Sequence, residues 1–330
     1  MAKRAMLFPG QGAQYPGMGK EFCSAFPEAE EVYRRANEAL GMDLMSICFE
    51  GSIEEVSRTD IGQPAILTTS IAIVNVLEKR FGLSPKDFSA TSGLSLGDYS
   101  ALVFSRVLNF DDALRLVAKR GRFMQEDSER NPSGMMSLIG ASPEQARTLC
   151  EQYAENDVLV PANYLGPGQI AVSGSLEALD RAESHLKELG IRKGVRLRVA
   201  GAFHSPLMEE GGRKLATELR RVEFAKPVVP FASNVTGSFI DDPEEIRASL
   251  AQQVTAPVLW HDIMNNFIGK GVDTFFEPGP GKVLTGILKK INRNLFLHNL
   301  DDPDGIDTFV AGYRTGASFR APGTHEVSFF

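Results

Sequence analysis

Hydrophobic positions along this chain alternate between short strand-like runs and longer helical patterns. Ala5–Phe8 is a continuous apolar run, typical of a buried strand. Asp111–Asp127 places its apolar residues at helical spacing, just after a plausible cap at Asn109. Pro64–Arg80 leaves little polar face, so we expect a buried helix there. Strands that alternate with helices in this way favour an α/β fold with a parallel sheet.

The middle of the chain has a different order of elements. Between residues 130 and 199 two helices alternate with four strand-like runs, which are Met135–Gly140, Val158–Tyr164, Gln169–Ser173 and Lys193–Val199. The order β-α-β-β-α-β is that of a ferredoxin-like unit. We therefore predict a ferredoxin-like subdomain at 130–199, inserted into a large α/β-hydrolase-like catalytic domain made of residues 1–129 and 200–300. The insertion is expected to cap one edge of the site.

The two ends of the chain differ in character. Met1–Phe8 starts basic and becomes apolar, but the apolar part stops at Pro9, too early for the core of a signal peptide. It reads better as a first strand that runs into a glycine loop. Residues 301–330 lack clear periodicity, so we expect an extended or disordered C-terminal tail.

Composition narrows the class of protein. The 330 residues are 43% hydrophobic and 23% charged, as in soluble globular proteins, and no apolar run reaches the ~18–20 residues of a membrane span. A net charge of −7 argues against general nucleic-acid binding. Three scattered cysteines suggest neither disulfides nor a metal site, and five histidines lack the spacing of zinc ligands. We expect a cytoplasmic protein with no metal and no cofactor.

The most informative segment is Gly93–Gly97, in which Ser95 lies between two glycines. A strand-like run precedes it and a helical run follows it, the arrangement of a nucleophile elbow. Small flanking residues allow a strained turn that exposes the hydroxyl, and the new helix points free N–H groups at the same place. The segment predicts covalent catalysis by Ser95, although such a pattern also occurs in ordinary loops.

A serine nucleophile needs a base and an oxyanion site. His204 lies in a small-residue approach to a helix and is the best candidate base, with a core or capping histidine as the alternative interpretation. The glycine loop after the first strand suggests an oxyanion donor at the Gln11 N–H, paired with the N–H of Leu96. Arg120 would bind a substrate carboxylate if it faced the pocket, whereas most helix arginines are solvated.

Six segments together resemble the malonyl-CoA:acyl-carrier-protein transacylase family, in family order over roughly residues 4–298. They are Phe8–Gln14, Gly93–Leu102, Arg120–Gln125, Ala162–Asn163 with Pro167–Gln169, Gly201–Pro206 and Glu277–Leu284. Six linked motifs are far more specific than the elbow alone. The inserted ferredoxin-like subdomain of the family agrees with the order of elements in this chain.

The resemblance implies a role for each matching residue. Ser95 is the nucleophile and His204 the general base and acid, while Gln11 and Leu96 supply the oxyanion hole. The main-chain carbonyl of Gln253 orients the histidine, so that no catalytic Asp is needed. Three further residues contact substrate: Arg120 pairs with the malonyl carboxylate, Asn163 lines the site, and Phe203 disfavours a methyl branch.

The resemblance also implies the partners, and the chain differs from the family's usual residues at two positions. Malonyl-CoA and acyl carrier protein are the expected partners of a monomeric enzyme of fatty acid biosynthesis. Carrier proteins are acidic, so a basic docking patch is expected, with Lys282, Lys289, Lys290 and Arg293 as one candidate and Arg192, Lys193, Arg196 and Arg198 as another. Leu94 stands where the family usually has His, and Asp98 replaces the commoner Glu.

Other functions remain open at this point. A serine esterase or thioesterase would need a triad carboxylate between Ser95 and His204, and no such residue stands out. A malonyl transferase of a polyketide pathway would use the same residues as one for fatty acids. A non-catalytic subunit that docks carrier protein is the third alternative, against which the intact Ser95, His204 and Arg120 argue.

Overall fold

The computed structural model describes residues 3–306 and residue 310 of the chain. The strands in that part are β1 (Lys3–Phe8), β2 (Ala90–Gly93), β3 (Ser133–Ile139), β4 (Leu159–Gly166), β5 (Gln169–Ser175), β6 (Lys193–Arg196), β7 (Phe231–Ala232), β8 (Phe239–Ile240), β9 (Val272–Glu277) and β10 (Phe296–Asn299). The helices are α1 (Lys20–Ala25), α2 (Pro27–Leu40), α3 (Leu44–Glu50), α4 (Ile53–Ser57), α5 (Thr59–Phe81), α6 (Gly97–Phe104), α7 (Phe110–Arg130), α8 (Pro143–Tyr153), α9 (Leu176–Ser184), α10 (Glu209–Leu219), α11 (Pro243–Gln253), α12 (Trp260–Gly269) and α13 (Val283–Ile291).

The larger sheet has the strand order β10-β9-β1-β2-β7-β8 and is parallel except for the pair β7 and β8. Met6 and Phe8 of β1 pack into one core cluster, whereas Ala5 and Leu7 pack into another. Helices therefore cover both faces of the sheet, which confirms the predicted α/β fold class. Phe8 pairs with Gly93, so the loops that follow β1 and β2 leave the sheet side by side.

The smaller sheet is antiparallel, with the order β4-β5-β3-β6. Along the chain its elements run β3-α8-β4-β5-α9-β6, the β-α-β-β-α-β order of a ferredoxin-like unit, from Ser133 to Arg196. It has its own apolar core. The Val258 N–H donates to the Ala162 carbonyl and the Tyr164 N–H to the Val258 carbonyl. These bonds tie β4 to the segment just before α12.

Helix α5 is longer than the apolar pattern indicates, because it begins at Thr59 and carries Pro64 within it. It is long and apolar enough to cross a membrane, contrary to the sequence-based expectation that no run reaches that length. However, 83% of its most apolar stretch is buried inside the protein. Its burial against the sheet and α7 identifies it as a core helix.

Two regions differ from the sequence-based prediction. Helices α1 to α4 and strand β10 had no predicted counterpart. Helices α1, α3 and α4, of five to seven residues, carry too little periodicity, and β10 is a half-buried edge strand. Helix α2 has 14 residues and buries Ala29, Val32, Tyr33 and Ala36 at helical spacing, so the prediction missed a pattern that the sequence does carry. The tail prediction is wrong for its first residues. Residues 303–306 are helical, and Ile306 and Val310 are buried in the main core because they fill an apolar site there. Residues 307–309 and 311–330 lie outside the described part.

Candidate active site

Ser95 lies at the apex of a tight turn between β2 and α6. Its φ of 53° is left-handed, a strained conformation for a residue with a side chain. A Cβ at Gly93 would overlap the backbone of Gly97, and one at Gly97 would overlap the Phe8 carbonyl. Both glycines are therefore required by close backbone approach, and the turn presents the Ser95 hydroxyl beyond the carboxyl end of the sheet.

His204 faces this serine, with its Nε2 2.8 Å from Ser95 Oγ. Its Nδ1 lies 2.8 Å from the Gln253 carbonyl and 3.2 Å from the Ala256 carbonyl. Because carbonyls only accept, Nδ1 carries the proton and Nε2 is left free to accept the serine proton. Two main-chain carbonyls thus orient the histidine in place of a triad carboxylate.

The electrostatic environment keeps His204 neutral. Burial, and then the positive charge of Arg120, lower the pKa of His204 from 6.5 to about 4, although its bonds to the two carbonyls oppose the shift. His204 also has a left-handed φ of 60°, so a strained backbone holds each member of the Ser–His pair. A neutral imidazole is the form that a general base requires.

The loop after β1 runs against the Ser95 turn. The Leu94 N–H donates to the Phe8 carbonyl at 3.0 Å, and a Cβ at Gly10 would overlap the Leu94 carbonyl oxygen. Within the part of the chain that the structure describes, neither the Gln11 N–H nor the Leu96 N–H has an acceptor. Two free backbone donors on adjoining loops are what an oxyanion hole needs.

Arg120 projects from α7 into the same site, which decides between the two interpretations of this helix arginine. It is 1% exposed, and its Nη2 donates to Ser95 Oγ at 3.0 Å and to Gln253 Oε1 at 3.1 Å. Its Nε has no partner, and it forms no ion pair with any described carboxylate. Burial lowers the pKa of the guanidinium. An unpaired buried cation beside a nucleophile is suited to an anionic acyl group.

Three buried polar residues around this pair had no assigned role in the sequence. Gln63 Oε1 on α5 accepts from Arg120 Nη1 at 2.7 Å, and Asn234 Oδ1 accepts from the Ser95 N–H at 2.6 Å. Asp98 accepts from the Gly93 N–H and from the amides of Asn234 and Gln253. Burial raises the pKa of the Asp98 carboxyl well above its usual range, and these donors oppose the rise. The signal for Gln63 was its polarity within an apolar helix; nothing local pointed to Asn234.

The remaining candidates form no hydrogen bond to the Ser–His pair or to Arg120 among the described residues. Phe203, 5% exposed, directly precedes His204, and its carbonyl accepts from Ser173 of the smaller sheet. Asn163 is on β4, and its buried Oδ1 has no partner. Leu94 packs against an apolar cluster beneath the sheet. The described residues contain no group of three His, Cys, Asp or Glu that could hold a metal ion.

Together these residues can perform acyl transfer. The serine supplies an oxygen nucleophile, the neutral histidine a base, and the free backbone N–H groups an oxyanion site. The buried guanidinium restricts the acyl group to one that carries a negative charge close to its reacting carbonyl.

Comparison with known proteins places the chain among acyl transferases. Residues 5–301 match the family described as an acyl transferase domain. The malonyl CoA-acyl carrier protein transacylase of Bacillus subtilis is 40% identical over 311 residues, which cover 94% of this chain and 97% of that protein. The crystal structure of the corresponding Clostridium perfringens transacylase superimposes with a TM-score of 0.90 at 40% identity, covering 96% of this chain and 98% of that one. A malonyl-transacylase solved in complex with a type II PKS acyl-carrier protein has a TM-score of 0.90 at 35% identity, covering 94% and 100%.

Proposed function

The chain belongs to the acyl transferase family, and on that premise we propose that it moves malonyl from malonyl-CoA to acyl carrier protein through a malonyl-serine ester. The observation that carries this function is Arg120, a buried guanidinium without a carboxylate partner, 3.0 Å from the nucleophile. A malonyl group brings that carboxylate. An acetyl group would leave the cation unpaired, which is costly in a buried site.

The first half-reaction acylates the enzyme. Ser95 Oγ attacks the thioester carbonyl while His204 Nε2 takes its proton, and the backbone N–H groups of Gln11 and Leu96 bind the oxyanion. Collapse of the intermediate breaks the carbon–sulfur bond. His204 returns the proton to the departing sulfur of coenzyme A, which leaves a malonyl ester on Ser95.

The second half-reaction reverses these steps with a new thiol. The pantetheine thiol of the carrier protein gives its proton to His204 and attacks the ester carbonyl. The serine oxygen leaves, takes the proton back from His204, and the malonyl group is now a thioester of the carrier protein. A thioester is exchanged for a thioester, so the reaction needs little driving force and, in this proposal, no cofactor.

Intact-mass analysis tests this proposal directly. The wild-type protein, mixed with malonyl-CoA, methylmalonyl-CoA or acetyl-CoA in turn, is expected to gain a malonyl adduct most readily. Ser95→Ala is expected to gain none. An adduct on Ser95→Ala would show that Ser95 is not the nucleophile. Equal amounts of adduct from all three thioesters would show that the enzyme has no preference for malonyl.

Three residues are proposed to refine the choice of acyl group. The Phe203 ring, next to the base, crowds a methyl branch and so favours malonyl over methylmalonyl. Asn163 lines the site with a buried side-chain oxygen that has no other partner. Leu94 places an apolar side chain beside the nucleophile. The methylmalonyl arm of the mass experiment measures their combined effect.

We propose that carrier protein docks on exposed cations at both ends of α13. Lys282, Lys289, Lys290 and Arg293 are all exposed, and none forms an ion pair within the described residues. In the other candidate patch, by contrast, Arg196 is already paired with Asp180 and Glu183. Free cations on a protein with a net charge of −7 offer an acidic partner a local attraction.

The kind of carrier protein that accepts the malonyl group decides the pathway. We place the reaction in fatty acid biosynthesis; a polyketide pathway is the second candidate, since one similar structure holds a type II PKS carrier protein. Rates with the two kinds of carrier protein separate these pathways. Release of free malonate without carrier protein at the rate of transfer would instead indicate a thioesterase.

We further propose that the enzyme acts in the cytoplasm as a monomer. Each site residue described above comes from one chain, so no second subunit is needed to complete it. Cys23, Cys48 and Cys150 are free, and burial raises the pKa of each thiol to about 12, which keeps them inert. Light scattering of the purified protein measures its mass in solution.

A further inference from the structure

Asp98 is a buried carboxyl that the reaction steps above do not use. It lies in the first turn of α6, three residues after the nucleophile, and is 1% exposed. A fully buried acid is costly unless each oxygen is satisfied. Its partners are therefore informative about what it does.

All hydrogen bonds to this carboxyl within the described residues come from N–H groups. Oδ1 accepts from the Gly93 N–H at 3.2 Å and from Asn234 Nδ2 at 3.1 Å, and Oδ2 accepts from Gln253 Nε2 at 2.7 Å. A protonated carboxyl would need an acceptor for its own O–H, and both oxygens face donors. Burial raises the pKa of this carboxyl, but the three donors oppose the rise. Because no described acceptor faces either oxygen, the arrangement favours the carboxylate, which can only accept.

An acceptor-only group dictates how the two amides must point. The Gln253 amide has to turn its NH₂ toward Asp98, which directs its Oε1 toward Arg120 Nη2 at 3.1 Å. The Asn234 amide turns its NH₂ toward both Asp98 and the Gly93 carbonyl, at 3.1 Å and 2.7 Å, which directs its Oδ1 toward the Ser95 N–H at 2.6 Å. The Gln253 amide also donates to the Ser95 carbonyl at 3.0 Å. Reversal of either amide would place donor against donor.

We infer that Asp98 is a positioning residue that fixes the orientation of the Gln253 and Asn234 amides, and thereby sets Arg120 and the Ser95 turn for a substrate carboxylate. This inference rests on the proposed function, because Arg120 is the group that it positions. Gln253 joins the two opposite charges, with its oxygen on the guanidinium and its nitrogen on the carboxylate. The guanidinium is thus held in place before substrate binds. The Asp98 carboxylate does this through Gln253 and does not itself bind Arg120 Nε, which stays free for the substrate.

Two pairs of variants of equal size test this role: Asp98 against Asp98→Asn, and Asp98→Glu against Asp98→Gln. The two members of each pair have side chains of nearly equal volume, so they pack alike. They differ in that a carboxylate only accepts hydrogen bonds, whereas an amide also donates them. The readout is the ratio of single-turnover acylation rates with malonyl-CoA and acetyl-CoA, measured by intact mass. In each pair the amide member is expected to show a ratio at least about tenfold lower, because an amide NH₂ at position 98 forces Gln253 to present its own NH₂ to Arg120.

A merely structural role predicts something different. Loss of stability would lower both rates together and leave their ratio unchanged. Glu277→Gln is the matched control. Glu277 is also 1% exposed and accepts two backbone N–H groups, at Leu284 and Thr285, and it forms no hydrogen bond to Ser95, His204 or Arg120 among the described residues. Its amide variant is expected to lower the melting temperature without changing the ratio.

The outcomes separate this inference from the proposed function. A ratio that stays within about twofold in both amide variants, while Arg120→Ala lowers it, would overturn the role of Asp98 and leave the function intact. A ratio unchanged by Arg120→Ala would overturn both. If Asp98→Asn does not fold, the pair of Asp98→Glu and Asp98→Gln decides by itself.

Discussion

Arg120 Nη2 donates a hydrogen bond of 3.0 Å to Ser95 Oγ, the same oxygen that lies 2.8 Å from His204 Nε2. The nucleophile is therefore held between a cation and a neutral base. We expect a substrate carboxylate to bind the free Nε of Arg120 and to take the place of Ser95 on Nη2, while the bonds from Arg120 to Gln63 and Gln253 keep it anchored. Recognition of the acyl group and release of the serine hydroxyl for attack are thus one exchange of hydrogen bonds.

Removal of the guanidinium should change selectivity rather than abolish chemistry. We expect Arg120→Ala to lower malonyl transfer by about a hundredfold or more and to spare or raise acetyl transfer, since a substrate carboxylate would lose its buried partner. Arg120→Lys keeps the charge but lacks the planar guanidinium, so its rate of malonyl transfer should lie between those of the wild type and Arg120→Ala. The check is kcat/KM for malonyl-CoA and acetyl-CoA, and equal losses for both would contradict the carboxylate role.

The pH dependence of acylation should report the lowered pKa of His204. Burial and then the charge of Arg120 lower this pKa from 6.5 to about 4, so the base stays neutral and active well below pH 6.5. We expect the acid limb of kcat/KM for malonyl-CoA near pH 4. In Arg120→Ala, assayed with acetyl-CoA, the limb should move to higher pH. A wild-type limb near 6.5 would contradict this account.

The same shift should affect stability, with a sign that can be worked out. Between pH 6.5 and about 4 the unfolded chain binds a proton at His204 and the folded chain does not. Acidification through this window therefore favours the unfolded state and lowers the free energy of unfolding. Below about pH 4 both states carry the proton, and the loss of stability that His204 causes is complete. The free energy of unfolding, measured by urea titration across this range, should fall less steeply in His204→Ala than in the wild type.

The glycine at position 10 should be essential to the oxyanion site. A Cβ there would overlap the Leu94 carbonyl oxygen, so Gly10→Ala must push the Gln11 loop away from the Ser95 turn. We expect a stability loss of about 1–3 kcal/mol and a fall in acylation rate of about tenfold or more. Gly269→Ala is the matched control, because that glycine is exposed and nothing lies within 4 Å of its Cβ position. A Gly10→Ala enzyme with wild-type rates would contradict the placement of Gln11.

Charge reversal should separate carrier-protein docking from chemistry. Lys289→Glu with Lys290→Glu should raise KM for carrier protein by about tenfold at low salt and leave acylation by malonyl-CoA unchanged. Arg221→Glu with Lys226→Glu makes the same change in charge elsewhere. Lys226 pairs with Asp241, next to β8 at the opposite edge of the sheet from β10. If both double variants behave alike, the α13 patch is not the docking site.

Much of the site could be predicted from local sequence, because a strained turn with close backbone contacts requires glycines at particular positions. The glycines of Gly93–Gly97 indicate the turn that bears Ser95, since only glycine permits the backbone contacts found there. The order of elements in the ferredoxin-like unit likewise follows from periodicity. Helices α1, α3 and α4 and strand β10 were missed, because short elements are stabilised by what they pack against rather than by their own pattern. The 14-residue α2 does carry a helical pattern of apolar residues, which the prediction did not use.

The sequence by itself determined the α/β class, the inserted subdomain pattern, the elbow at Ser95 and the candidate partners of that serine. Only the tertiary structure decided that Arg120 points inward, that the Ala256 carbonyl joins the expected Gln253 carbonyl in orienting His204, and that Asp98, Asn234 and Gln63 complete the network. The physical reason is that a side chain's partners and burial depend on residues far away in the chain. Arg120 contacts Gln253 across 133 positions, a contact that no local pattern records.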